Sequence, residues 1–190
     1  MVGPLYIPEM ILISGTGQNC GKTTLAEAII RFLSDKILVT GIKTSLHFHQ
    51  LSSKTKILAD HRPDYLIVRE TDRKSGKDTA RMLDAGSKDA YLILSTDTHM
   101  TEAFNCLYKQ LRRNHVLVCE SSVLARRLNP GLLFIMEPDH VKNKGKRTAD
   151  ASSEKEIILS FSKLIKERKS VERILRQWLK KGRLSFQVPF

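Results

Sequence analysis

Ser14-Gly15-Thr16-Gly17-Gln18-Asn19-Cys20-Gly21-Lys22-Thr23-Thr24 lies between a short apolar run, Met10 to Ile13, and a helix-like segment from Thr24 to Leu33. A strand, a glycine-bearing loop and a helix in that order form the first unit of a wound α/β sheet. A loop that wraps a polyphosphate needs residues without an obstructing Cβ, so that consecutive backbone N–H groups turn inward as an anion-binding nest. Gly15, Gly17 and Gly21 supply that freedom, and Thr16, Gln18, Asn19, Cys20 and Thr24 complete the expected cradle. The helix that starts near Gly21 turns its unpaired N–H groups and positive dipole end toward the same anion. Lys22 adds a mobile cation for the terminal phosphates, and Thr23 a hydroxyl for the accompanying Mg²⁺. Counted back from Gly21-Lys22-Thr23, the first glycine of the common G-x-x-x-x-G-K-[ST] pattern would stand at position 16; here Gly15 stands one residue earlier.

Outward from this loop, the chain alternates apolar runs with helical stretches. Lys36 to Lys43, Asp64 to Glu70, Tyr91 to Ser95, Val116 to Cys119 and Leu132 to Met136 read as strands. Asp78 to Ala85, ended by Gly86, and Thr98 to Arg113, with Ala103, Phe104, Leu107 and Leu111 on one face, read as helices. Thr44 to Pro63 reads as a loop, and Ser121 to Leu128 as a turn or short helix closed by Asn129-Pro130-Gly131. Continuous apolar strands between helices predict an α/β fold, a mainly parallel sheet with helices on both faces. Ligands in such sheets bind at the carboxyl ends of strands, where the loop, Lys43, Glu70 and Glu120 are expected to converge.

The tail differs in character. Ser153-Glu154-Lys155-Glu156 matches a capping box, and Ile157, Ile158, Phe161, Leu164 and Ile165, then Val171, Ile174, Leu175, Trp178 and Leu179, follow helical spacing. The expected organisation is a nucleotide-binding domain over residues 1–150 and a basic helical extension over 151–190 packed on it. From Lys142 onward there are 14 Lys and Arg against 5 Asp and Glu, so the tail carries most of the net charge of +12. The expectation is a solvated basic face rather than a nucleic-acid surface, since no aromatic-interleaved basic module accompanies the charge.

A chain of 190 residues with 41% hydrophobic content suits a single core. No run approaches the length of a membrane span, and Met1 to Pro8 lacks the pattern of a signal peptide. Cys20, Cys106 and Cys119 are widely spaced, without a CxxC pair, and read as reduced thiols of a cytoplasmic protein.

Bound MgATP or MgGTP calls for a carboxylate at the end of a neighbouring strand. Glu120 stands where that acid is expected, as a second Mg²⁺-organising group with Thr23. Lys22, Glu120 and Asp78 are the candidate catalytic groups, although for Asp78, at the start of its helix, capping that helix is the simpler account and binding metal through water the alternative. Lys43 and Arg81 are placed to meet phosphate or an anionic small-molecule or cofactor substrate. His47 and His49 have no third ligand nearby in sequence and are not read as a zinc site. Asn143-Lys144-Gly145-Lys146 has a lysine where the guanine-reading Asn-Lys-x-Asp motif has its acid, so it gives no support for GTP over ATP.

These residues carry a family resemblance. The lengthened Gly15-Thr16 opening resembles the loops of dethiobiotin synthetases and cobyrinate-type amidotransferases. Ile42-Lys43-Thr44 with His47 and His49, Gly76-Lys77-Asp78-Thr79-x-Arg81 and Asp84-Ala85-Gly86 resemble the molybdopterin-guanine dinucleotide biosynthesis protein B family, and the order of motifs matches over roughly residues 10 to 120. Thr44 departs from that family's histidine, and Cys119-Glu120-Ser121-Ser122 from its Glu-Gly turn. The resemblance implies a P-loop NTPase fold, nucleotide binding, a role in molybdenum cofactor maturation, and membership of a family that often forms homodimers.

Overall fold

The computed structural model describes residues 4–17, 19–48, 51, 54–112, 114–139 and 156–182. Its strands are β1 (Leu5–Gly15), β2 (Val39–Ser45), β3 (Lys56–His61), β4 (Tyr65–Arg69), β5 (Asp89–Ser95), β6 (Val116–Glu120), β7 (Leu128–Glu137) and β8 (Glu156–Ser160). Its helices are α1 (Lys22–Ser34), α2 (Asp78–Asp84), α3 (Met100–Tyr108), α4 (Phe161–Lys166) and α5 (Arg168–Gly182), with one 3-10 turn at Leu124–Arg126. The strands join in the order β3-β4-β5-β2-β6-β1-β7-β8. Every pairing from β5 to β8 is parallel, and β3 and β4 add an antiparallel hairpin at one edge. The α/β architecture and its mostly parallel sheet agree with the sequence reading.

Residues alternate across each strand, so a strand covered on both faces must be apolar throughout. On β1, Ile11 and Ile13 face the cluster formed with α1, α2 and α5, through Leu25, Ile29, Met82, Val171, Leu175 and Trp178. Met10 and Leu12 face the opposite cluster with Met100, Phe104 and Leu107 of α3. Helices therefore cover both faces, and the continuous apolar runs follow directly from that double burial.

The structure corrects four local readings. Thr44 to Pro63 is not all loop: Lys56–His61 forms β3, an edge strand whose apolar residues Ile57, Leu58 and Ala59 are exposed or only half-buried and so give no buried alternation. Asn129-Pro130-Gly131 does not close a turn but lies inside β7, opposite a bulge where the pairing slips between Ile7 and Ile11 of β1. Pro130, which lacks an N–H, is accommodated beside that irregularity. Ile157 and Ile158 are not helical; they belong to β8, which extends the sheet beside β7 before Ser160 caps α4. Glu70 does not join the strand ends around Glu120, because β4 runs antiparallel to β5 and its N–H donates to Ala90 O, near the start of β5. The Glu70 carboxylate instead accepts hydrogen bonds from the Thr71 and Asp72 N–H groups and the Thr79 hydroxyl.

The proposed capping residues Ser153 to Lys155, the Asn143-Lys144-Gly145-Lys146 segment and His49 lie outside the described residues. No helix among the described residues is long and apolar enough to cross a membrane.

Candidate functional site

The site forms where β1, β2 and β6 end side by side. Parallel pairing sets Ile13 of β1 level with Glu120 of β6, and Lys43 of β2 level with the same Glu120. The loop after β1 then rises over these ends. Thr16 N–H donates to Met136 O of β7 at 3.2 Å, which anchors the rising limb. Gln18 lies outside the described residues. Asn19 and Gly21 both take left-handed backbone conformations, φ 56° and 87°, and turn the chain sharply into α1. Gly21 is the N-cap residue and has no side chain to satisfy the helix. The first intrahelical bond runs from Leu25 N–H to Gly21 O at 2.9 Å, so the N–H groups of Lys22, Thr23 and Thr24 have no partner within the helix. With no acid in the first turn, this helix end keeps its positive character.

Asn19, Cys20, Gly21, Lys22, Thr23 and Thr24 line a cleft of about 470 Å³, closed on its other sides by Lys43, Asp78, Arg81, Glu120 and Phe161. Gly15, Thr16 and Gly17 shape the limb behind this wall. Lys22 folds back on the loop, donating to Gly17 O at 2.5 Å and approaching Cys20 Sγ at 3.4 Å. Below it, Thr23 Oγ1 donates to Glu120 Oε2 at 2.9 Å. Lys43 Nζ bridges Glu120 Oε1 at 2.5 Å and Asp78 Oδ2 at 2.9 Å. Arg81 pairs with Glu27 through Nε and stands 3.8 Å from Asp78 Oδ1. Six of the side chains singled out from the sequence, Lys22, Thr23, Lys43, Asp78, Arg81 and Glu120, thus share one cleft.

The electrostatics follow from this packing. Burial alone would favour neutral Lys43, but the Glu120 charge and hydrogen bond, joined by Asp78, outweigh it and hold the ammonium above the usual lysine range. Glu120 is almost fully buried and therefore depends on Thr23 and Lys43 for compensation. Cys119, next to it, faces the α3 side; burial pushes its thiol far up and leaves it unreactive.

Four contributors, Thr44, Ser121, Ser122 and Phe161, were not singled out as site residues. Thr44 Oγ1 donates to Ser121 Oγ at 2.7 Å, and Ser122 Oγ donates to Gly15 O at 3.2 Å, so the residues after Glu120 tie β6 to β2 and to the loop. Phe161 reaches the cleft from the tail, at the point where β8 turns into α4. Its signal was the consecutive apolar run Ile157-Ile158-Leu159 ending at Ser160, a strand followed by an N-cap.

No protein-family model, curated protein or solved structure matches the chain.

Proposed function

We propose that the chain is a P-loop nucleoside triphosphate-binding protein that assists molybdenum cofactor maturation, in line with its resemblance to the molybdopterin-guanine dinucleotide biosynthesis protein B family. The supporting observation is the Thr23–Glu120 hydrogen bond, directly beneath a helix end with unpaired N–H groups and beside Lys22. Under this reading the triphosphate of ATP or GTP lies in the Gly15–Thr24 cradle. Lys22 leaves Gly17 O and neutralises charge on the β and γ phosphates.

A hydroxyl and a carboxylate are the hard oxygen donors that suit Mg²⁺, and Thr23 and Glu120 would hold it. Among the described residues no cluster of three His, Cys, Asp or Glu forms a self-sufficient metal cage. Its remaining ligands would come from phosphate oxygens and water, the usual arrangement for nucleotide-bound Mg²⁺. Mg²⁺ supplies charge neutralisation at the phosphates. Lys43, Asp78 and Arg81 form the wall against which an anionic second substrate would be oriented.

That wall also favours a second reading, a dethiobiotin synthetase-like ligase or small-molecule kinase, because a carboxylate acceptor needs cations beside the γ phosphate. A nucleotide-controlled binding module is the third. Calorimetry and phosphate release with MgATP and MgGTP separate them. Turnover raised by a molybdopterin-type substrate favours the first, turnover raised by a carboxylate metabolite the second, and tight binding without turnover the third. A protein that binds neither nucleotide rejects all three.

A further inference from the structure

The walls of the cleft are uneven in chemistry. Toward β6 and β2 stand Lys22, Thr23, Glu120, Lys43, Asp78 and Arg81, all charged or hydroxylic. From the other side of β1, past β7 and β8, comes Phe161, the one aromatic side chain among the described residues that line it. Its ring lies against the loop's last glycine: a Cβ on Gly21 would stand 2.5 Å from Phe161 Cδ2. The ring's backbone is fixed. Ser160 Oγ caps α4 by accepting from Lys163 N–H, and Asp139 Oδ1 accepts from Ser162 N–H at 3.0 Å, tying the start of α4 to the residues after β7. Phe161 remains only partly buried in spite of these ties, so its ring is not consumed by the core.

We infer that Phe161 is the stacking platform for the heteroaromatic base of the bound nucleotide. This rests on the triphosphate reading of the same cleft. If the γ phosphate lies with Lys22, Thr23 and Glu120, the nucleoside leaves the loop on the β7–β8 side. There the first turn of α1 offers backbone amides and Phe161 offers an aromatic surface. A base stacked on such a ring gains affinity independently of which base it is, because every base has a π face. The tail is therefore part of the binding site, and the subsite selects nucleotides over free polyphosphate while discriminating weakly between ATP and GTP.

The test compares calorimetric affinities of the full chain for MgATP, MgGTP and magnesium tripolyphosphate, which has the phosphates without a base. The variants are Phe161→Leu, which keeps apolar bulk at the ring's position, Phe161→Ala and Phe161→Trp. Expected are a loss of roughly ten-fold or more in affinity for both nucleotides in the Leu and Ala variants, unchanged tripolyphosphate affinity, and nucleotide affinity retained or increased in the Trp variant. A merely structural ring would shift nucleotides and tripolyphosphate alike, and that outcome overturns the inference, as does unaltered nucleotide affinity in Phe161→Leu. Wild-type protein that binds tripolyphosphate no better with a nucleoside attached overturns the inference and spares the phosphate site. Wild-type protein that binds none of the three removes the phosphate reading itself.

Discussion

Thr23 and Glu120 stand 97 residues apart in the chain and share a 2.9 Å hydrogen bond at the base of the cleft. The bond exists because β1 and β6 are parallel neighbours, so the helix after one strand begins directly above the last residue of the other. Replacing Glu120 with Gln keeps the shape and a hydrogen-bond acceptor but removes the charge. If Glu120 organises Mg²⁺, the variant loses magnesium-dependent nucleotide affinity by ten-fold or more while metal-free affinity changes little. Titrations with and without Mg²⁺ check this, and an equal change in both would assign Glu120 to structure alone.

Lys43 compensates the same buried carboxylate. Lys43→Met should cost about 3 kcal/mol, because an unpaired charge is left at a nearly dry position. The double variant Lys43→Met/Glu120→Gln should recover most of that loss, which urea unfolding measures. The pH dependence has a definite sign. The folded-state pKa of Lys43 is raised, so its contribution is complete below the ordinary lysine range and fades as pH rises through the higher folded value. The stability gap between wild type and Lys43→Met should therefore stay constant near neutrality and narrow only at strongly alkaline pH.

Gly131 tests the packing behind the site. A Cβ there would overlap the Pro8 carbonyl oxygen and stand 3.0 Å from Trp178 Nε1. Gly131→Ala is expected to destabilise by about 3 kcal/mol, since the obstacle is backbone in a strand and cannot swing away. Gly76→Ala is the contrast. Gly76 has φ +72° but nothing within 4 Å of its would-be Cβ, so only backbone strain of about 1 kcal/mol applies.

The sequence was most readable where burial is complete. Met10 to Ile13, Val116 to Cys119 and Leu132 to Met136 are apolar at every position because both faces of the sheet are covered, and their strand ends gather Lys43 and Glu120. Lys56–His61 escaped notice because an edge strand with exposed residues needs no alternation. Ile157 and Ile158 misled for a different reason. With Phe161, Leu164 and Ile165 they satisfy helical spacing, yet Ile158 points outward and is 47% exposed while Leu159 is buried, which is strand behaviour. That misreading hid Phe161, whose place in the cleft depends on β8 ending at Ser160.

Trp178 measures how far the tail is integral to the fold. It packs in the same cluster as Ile11, Phe134 and Leu175 and is 8% exposed. Trp178→Ala should cost about 3 kcal/mol by leaving a cavity between α5 and the sheet. Thermal unfolding reads this directly, and a change below about 0.5 kcal/mol, the usual range for surface positions, would mean that α5 contributes little.

Under the proposed function, Lys22 and the amides around it hold a triphosphate. Calorimetric titration of wild type and Lys22→Ala with MgATP and MgGTP tests it most directly. Expected are saturable binding of at least one nucleotide by wild type and a loss of at least a hundred-fold in affinity in a variant that keeps wild-type unfolding behaviour. Equal affinity in the two proteins would contradict it.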